Sequence, residues 1–138
     1  MKSLDTATPD VLIAGAGPTG MLLGCALVHQ GLGVRIVDAG KGPTLDSKAQ
    51  VIHARTLEIL EQLGIADRFV ERGRSLHLIC LYNQEMQRLF HVIVGELDSR
   101  YPFMLSLSQR DTERLLRERL RELGAAVRKA RASATRSG

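Results

Sequence analysis

Apolar positions along this chain fall into runs of three kinds, and each predicts a different element. "DVLIAGA" is apolar at nearly every position and is bounded by Pro9 and by glycines. A run apolar on both faces suits a central parallel strand, here over residues 10–15. "PTGMLLGCALVHQG" has the length and composition of a helix, with Pro18 suited to its first turn and Gly31 to its stop. "GVRIVDAG" predicts a second strand over 33–38. Strand, glycine turn, helix and strand within about 30 residues make a βαβ unit.

The pattern then changes. Residues 40–50, "GKGPTLDSKAQ", are loop-like. "HARTLEILEQLG" places Leu57, Leu60 and Leu63 near helical spacing before Gly64, and "IADRFVERG" predicts a shorter helix closed by Gly73. "LHLICLY" and "QRLFHVIV" flank "NQEM", which predicts a β-hairpin within 75–94. "YPFMLSLS" reads as another strand. "QRDTERLLRERLRELG" reads as an amphipathic helix, with Leu116, Leu120 and Leu123 on one face and Gly124 at its end. "AAVRK" reads as one more strand, and "ARASATRSG" as an unstructured tail. The expected fold class is therefore α/β: a Rossmann-like βαβ domain with a parallel sheet and an inserted β-hairpin.

Composition changes this picture little. The chain has 138 residues, 44% of them hydrophobic and 25% charged, as in ordinary soluble domains. The net charge of +4 is uneven, because residues 110–138 carry nine Arg or Lys against four Asp or Glu. Such an end suits nucleic acid or an anionic ligand, but interleaved Arg and Glu on a helix read first as a solvated face. No nucleic-acid partner is assigned. Cys25 and Cys80 form no paired motif, which argues against a disulfide framework or a structural zinc site and points to a reducing, cytoplasmic setting. No run of about 18 uncharged apolar residues predicts a membrane span, and "MKSLDTATPD" has no apolar run of the kind a secretory signal carries.

The candidate chemistry sits at Gly15, Gly17 and Gly20, spaced G-x-G-x-x-G between the first strand and the first helix. The first glycine allows the tight turn, the second lets the backbone approach a pyrophosphate, and the third lets helix and strand pack closely. The helix N-terminus, beginning with Pro18 and Thr19, then offers N–H groups and a partial positive charge to phosphates. Asp38 ends the second strand, 18 residues after Gly20, where a carboxylate can accept ribose hydroxyls and would repel a 2′-phosphate. These features fit NAD or FAD equally.

Three blocks decide between them: "DVLIAGAGPTGMLLGCALVHQGLGVRIVDAG", "SKAQVIHARTLEILEQLGIADRFVERG" and "PFMLSLSQRDTERLLRERLRELGAAV". In order and spacing they resemble the class A flavoprotein monooxygenases, the family of para-hydroxybenzoate, phenol and polyketide hydroxylases. The resemblance runs from about Asp10 to Lys129 and implies FAD, with NAD(P)H as transient electron donor and a small aromatic molecule as substrate. It implies that Gly15, Gly17, Pro18, Thr19 and Gly20 hold the pyrophosphate and that Asp38 binds the adenosine ribose, where the family more often has Glu. Lys48 stands where the family usually has an Arg at the cofactor, and loses its bidentate fork. Gln109 matches the family's Gln at the ribityl and phosphate region. Arg55 has two readings, support for the same loop or an ion pair with Glu58 or Glu61.

The family's reaction reduces FAD with NAD(P)H and inserts one oxygen atom into an electron-rich ring. Its later D-G and G-D motifs do not occur in this chain. The expectation is therefore the N-terminal portion of such an enzyme, incomplete for turnover by itself, with a tail that reads like a truncated or frameshifted frame; the alternatives are a non-catalytic truncated nucleotide-binding fragment, or another FAD-dependent oxidoreductase sharing the ADP-binding fold. Its parts are an N-terminal extension over 1–9, an FAD-binding portion over 10–129 and a disordered basic tail over 130–138. The H-x-x-C spacing of His77 and Cys80 is not read as a metal site, because an odd offset on a strand points to opposite faces. Cys25 is read as helix packing, and His29 and His91 as ordinary surface or core histidines.

Overall fold

The computed structural model describes residues 8–40, 49–96 and 98–129. The expected extension over 1–9, but for its last two residues, and the expected tail over 130–138 lie outside them. The chain divides into two compact units, one of residues 1–45 with 112–138 and the other of residues 46–111.

The first unit is built on three parallel strands. β1 (Val11–Ala14) is followed by α1 (Pro18–His29) and β2 (Val34–Asp38), and β8 (Val127–Lys129) comes from the far end of the chain. The sheet order is β1-β2-β8. In the β1–β2 register Ile13 lies opposite Ile36 and Leu12 opposite Arg35, so the two pairs face opposite sides of the sheet. Ile13 and Ile36 are buried, whereas Leu12 is 62% exposed. α1 covers the isoleucine side. At Gly24 an added Cβ would stand 2.6 Å from Ile36 Cδ1 and 3.3 Å from Leu120 Cδ2. α4 (Gln109–Glu122) contributes Leu115, Leu116 and Leu120 to the same core, beside Met21 and Cys25. Burial of these aliphatic side chains holds the unit together, at about 1.5–3 kcal/mol each before chain entropy is set against it.

The second unit holds β3 (Ala49–Ile52), α2 (Ala54–Gln62), α3 (Ala66–Arg72), β4 (Arg74–Leu76), β5 (Leu78–Tyr82), β6 (Arg88–Ile93) and β7 (Met104–Ser108). β3, β7 and β4 form an antiparallel sheet in that order. Leu57, Leu60, Leu63, Ile65 and Phe69 from the helical segment are buried, with Leu105 and Leu107 from β7. Gly73 ends α3 with an extended backbone rather than a left-handed one. It is needed for space, since a Cβ there would stand 2.6 Å from Leu105 Cδ1.

The expected hairpin is present as β5 and β6, paired from Leu78↔Ile93 to Tyr82↔Arg88. Its turn is organised by Asn83, whose Oδ1 accepts the N–H groups of Glu85 at 3.0 Å and Gln87 at 2.8 Å. The arm read as one strand, "LHLICLY" over 76–82, is instead split between two. β4 pairs with β7, and the chain breaks at His77 before β5 begins. β3, which pairs with β7, is not foreseen in the sequence: its first two residues fall in the stretch 40–50 read as a loop, and Val51 and Ile52 are assigned to no element. The α/β class, the parallel βαβ unit and the hairpin stand as expected.

Candidate functional site

β1 ends at Ala14 and the chain turns sharply at Gly15, whose φ is +107°. That conformation is open to glycine and strained for L side chains. The Gly15 N–H donates to the Val37 carbonyl at 2.8 Å, the last backbone bond between the two segments. The Ala16 N–H then donates to Asp38 Oδ2 at 2.5 Å, and the Gly40 N–H donates to Asp38 Oδ1 at 2.5 Å. The carboxylate at the end of β2 is thus tied both to the glycine turn and to its own following loop.

Gly20 sits in the first turn of α1, and a Cβ there would overlap the carbonyl oxygen of Gly15 and touch Ile13 Cγ2 at 3.4 Å. Gly17, the N-cap of α1, has the opposite surroundings: a Cβ on it would meet nothing within 4 Å. No side chain caps this helix, and Pro18 occupies its start. The first helical bond runs from the Met21 N–H to the Gly17 carbonyl at 3.0 Å. The amides of Thr19 and Gly20 therefore precede the regular ladder, as at any helix N-terminus. An uncapped N-terminus beside open space over Gly17 fits a pyrophosphate: amide donors and the helix dipole would face its phosphates, with no Cβ in the way.

The Asp38 carboxyl is held below the usual carboxylate range, chiefly by the Ala16 amide, then by the Gly40 amide, with the Arg117 guanidinium on α4 adding a smaller pull. It is anionic at neutral pH. Arg117 and the two amides escaped sequence reading. The amides carry no side-chain signal, and Arg117 sits in a helix whose charges read as a solvated face.

The sequence-derived residues divide as follows. Gly15, Gly17, Pro18, Thr19, Gly20 and Asp38 converge on one turn in the first unit. Gln109 is the first residue of α4 and belongs to the second unit. Lys48 lies outside the described residues. Arg55 makes the ion pair that was one of its two readings, with Glu58 at 2.9 Å. Glu58 also accepts from Ser99 Oγ at 2.9 Å, and Arg100 pairs with Glu61. The two acids of α2 thereby anchor the segment before β7 beside an open hollow of about 430 Å³ lined by His53, Arg55, Asp98 and Met104. Arg55 first, then Ser99, lowers the Glu58 carboxyl below its ordinary value. His77 stacks edge-on against Phe103, with ring centroids 6.0 Å apart. Cys25 is buried and its thiol donates to the Leu116 carbonyl at 3.7 Å. No helix among the described residues is long and apolar enough to cross a membrane.

Comparison with known proteins shows the family. The family described as FAD binding domain matches residues 8–136. The chain is 42% identical over 120 residues to the 6-methylpretetramide 4-monooxygenase of Streptomyces rimosus, covering 86% of this chain and 22% of that protein. It is 38% identical over 121 residues to the pentachlorophenol 4-monooxygenase of Sphingobium chlorophenolicum, with 86% and 22% covered. Among solved structures, the anhydrotetracycline hydroxylase of Streptomyces rimosus superposes with a TM-score of 0.74 at 36% identity, over 88% of this chain and 24% of that one. The p-nitrophenol 4-monooxygenase of Pseudomonas putida shares the fold at a TM-score of 0.76 and 23% identity, over 86% of this chain and 31% of that one. The chain thus spans roughly a quarter of the length of the curated relatives it matches. A glycine turn closed by an acid at the end of the second parallel strand, together with these matches, places the chain in the FAD binding domain family of the class A flavoprotein monooxygenases.

Proposed function

We propose that this chain forms the ADP-holding part of the FAD site in an NAD(P)H-dependent monooxygenase that hydroxylates an aromatic or polyketide-derived ring. The observation that carries the reading is the turn itself: Gly15 at φ +107°, open space over Gly17 and an anionic Asp38 at its rim. The amides at the start of α1 would hold the pyrophosphate, and Asp38 would take the adenosine ribose. Bound FAD supplies the electron transfer and oxygen activation that ring hydroxylation needs. What this chain supplies is grip and orientation for the adenine end of that cofactor. Lys48 and Gln109 are assigned to the flavin-ward side of the cofactor by resemblance to the family.

The substrate class rests on the relatives, whose names include anhydrotetracycline, rifampicin and pentachlorophenol monooxygenases. The part of the reaction at the flavin ring is assigned to protein beyond the residues of this chain, so the chain alone is expected to bind without turning over. The reading is tested by titrating the purified chain with FAD, FMN and ADP while following flavin fluorescence and calorimetric heat. FAD and ADP should bind and compete, and FMN, which lacks the adenosine half, should bind far more weakly. Equal binding of FMN and FAD, or no binding of ADP, would refute the ADP-holding role. NADPH oxidation by the isolated chain with a phenolic substrate would refute the division of labour.

A further inference from the structure

β1 donates to β2 from alternate residues, Val11 to the Gly33 carbonyl at 3.1 Å and Gly15 to the Val37 carbonyl at 2.8 Å. In a straight parallel strand the next amide, that of Ala16, would point away from β2. The left-handed φ of Gly15 turns it back, and there it meets Asp38 Oδ2 at 2.5 Å. β1 has ended at Ala14, and the acceptor that the Ala16 amide finds is a side chain rather than a backbone carbonyl. A side chain therefore supplies the next rung. The other oxygen of the same carboxylate accepts from Gly40 at 2.5 Å, which fixes the carboxylate from the far side. Hydrogen bonds to a charged acceptor are the strong ones.

We propose that Asp38 is a positioning residue of the glycine turn: by accepting the Ala16 and Gly40 amides it latches the turn in its phosphate-binding shape before any dinucleotide arrives. The latch is a property of the nucleotide-free chain, and rests on the FAD reading only for what the preset turn is used for. Each carboxylate oxygen accepts one amide and keeps further acceptor capacity, so ribose hydroxyls can add without breaking it. The short aspartate arm suits this double duty, since the acid must reach back to a turn only one residue beyond the last backbone bond.

The test is amide hydrogen exchange by NMR on the full chain without nucleotide, combined with titration of inorganic pyrophosphate, which has no ribose for Asp38 to touch. In Asp38→Ala the Ala16 amide should exchange about 10- to 100-fold faster, the loss expected for a hydrogen bond to a charged group. The Gly15 amide, held by the Val37 carbonyl, should keep its rate and serves as the folding control. Pyrophosphate affinity should fall with the loss of the preset turn, although removing a negative charge alone would raise it. An unchanged Ala16 rate overturns the latch. So does FAD binding that weakens while pyrophosphate binding holds or tightens, since Asp38 would then be a ribose ligand only. If Gly15 protection collapses as well, Asp38→Asn decides. Its single carbonyl oxygen can replace only one of the two acceptors, so selective loss at Ala16 or Gly40 supports the latch and unchanged rates at both refute it. A wild-type chain with a protected Ala16 amide that binds no FAD would leave the latch standing and remove the cofactor reading instead.

Discussion

Gly20 lies so close against Gly15 that a single added carbon on the first would overlap the carbonyl oxygen of the second. The obstacle is backbone, not a movable side chain, so the turn itself must shift. Gly20→Ala should therefore destabilise the first unit by about 1–3 kcal/mol, the usual cost of overpacking. Gly17→Ala, with nothing within 4 Å of the new carbon, should cost about 1 kcal/mol or less as a poorer N-cap. The two variants separate folding from binding. Urea unfolding should pick out Gly20→Ala, while FAD titration should show Gly17→Ala weakened with its unfolding midpoint almost unmoved.

The βαβ unit was legible because its signals are local: a doubly apolar strand, a glycine turn and an acid at the second strand's end. β3 was not. "AQVI" follows a polar loop and becomes a strand by pairing with β7, more than 50 residues away, with Ala49 opposite Ser108. The break at His77 is also non-local, since β4 leaves the hairpin to pair with β7 through Leu76 and Met104. At the site, the glycines and Asp38 could be read, but not the amides that Asp38 holds, because backbone donors have no letter in the sequence. The Arg55–Glu58 pair was one of two open readings, and three-residue spacing on a helix is what realises it.

The same carboxylate gives the first unit an acid sensitivity. The folded form holds the Asp38 carboxyl below its ordinary value of 3.8. A group depressed in this way contributes stability that is complete above the unfolded value and is lost as pH falls through the folded one. Asp38→Asn should therefore be less stable than wild type at neutral pH, and the gap should close below about pH 4 as the wild-type carboxyl takes up its proton. Paired urea melts from pH 7 to pH 3 measure the gap. A gap that stays constant across that range would show that the carboxylate's charge is not what matters.

The two thiols should report on different events. Cys25 is fully buried, and burial pushes its thiol up to about 11, with Arg119 pulling weakly the other way. It should react with a disulfide reagent at pH 8 only as fast as the first unit opens, because the thiolate is the nucleophile and is scarce there. Cys80, half-buried on β5, should react first. Between the ordinary value of 9.0 and about 11 the unfolded chain loses the Cys25 proton while the folded chain keeps it, so stability should fall as pH rises through that window. Cys25→Ala should remove that alkaline slope, at the cost of a small cavity beside Met21 and Leu116. Fast reaction of both thiols at pH 8 would contradict the packing around Cys25.

The hairpin is where the chain should associate with itself. Leu78, Leu81, Leu89, Phe90, Val92 and Ile93 are each 45% or more exposed. They occupy both faces, since Leu78 pairs with Ile93 on one and Leu81 with Phe90 on the other. A two-stranded ribbon is marginal alone, and the edges of this one carry neither Lys nor Pro to discourage pairing. Contiguous apolar surface of this kind drives association in the isolated chain. Light scattering should grow with concentration, and replacing the cross-strand pair with Leu81→Lys and Phe90→Lys should suppress it. Because both side chains are about half exposed already, the double variant should leave the melting of the first unit unchanged and FAD affinity intact. A wild-type chain that stays monodisperse at high concentration would show that the exposed ribbon is not adhesive. Association that persists in the double variant would move the sticky surface elsewhere, with Leu12 on the uncovered side of β1 the next position to test.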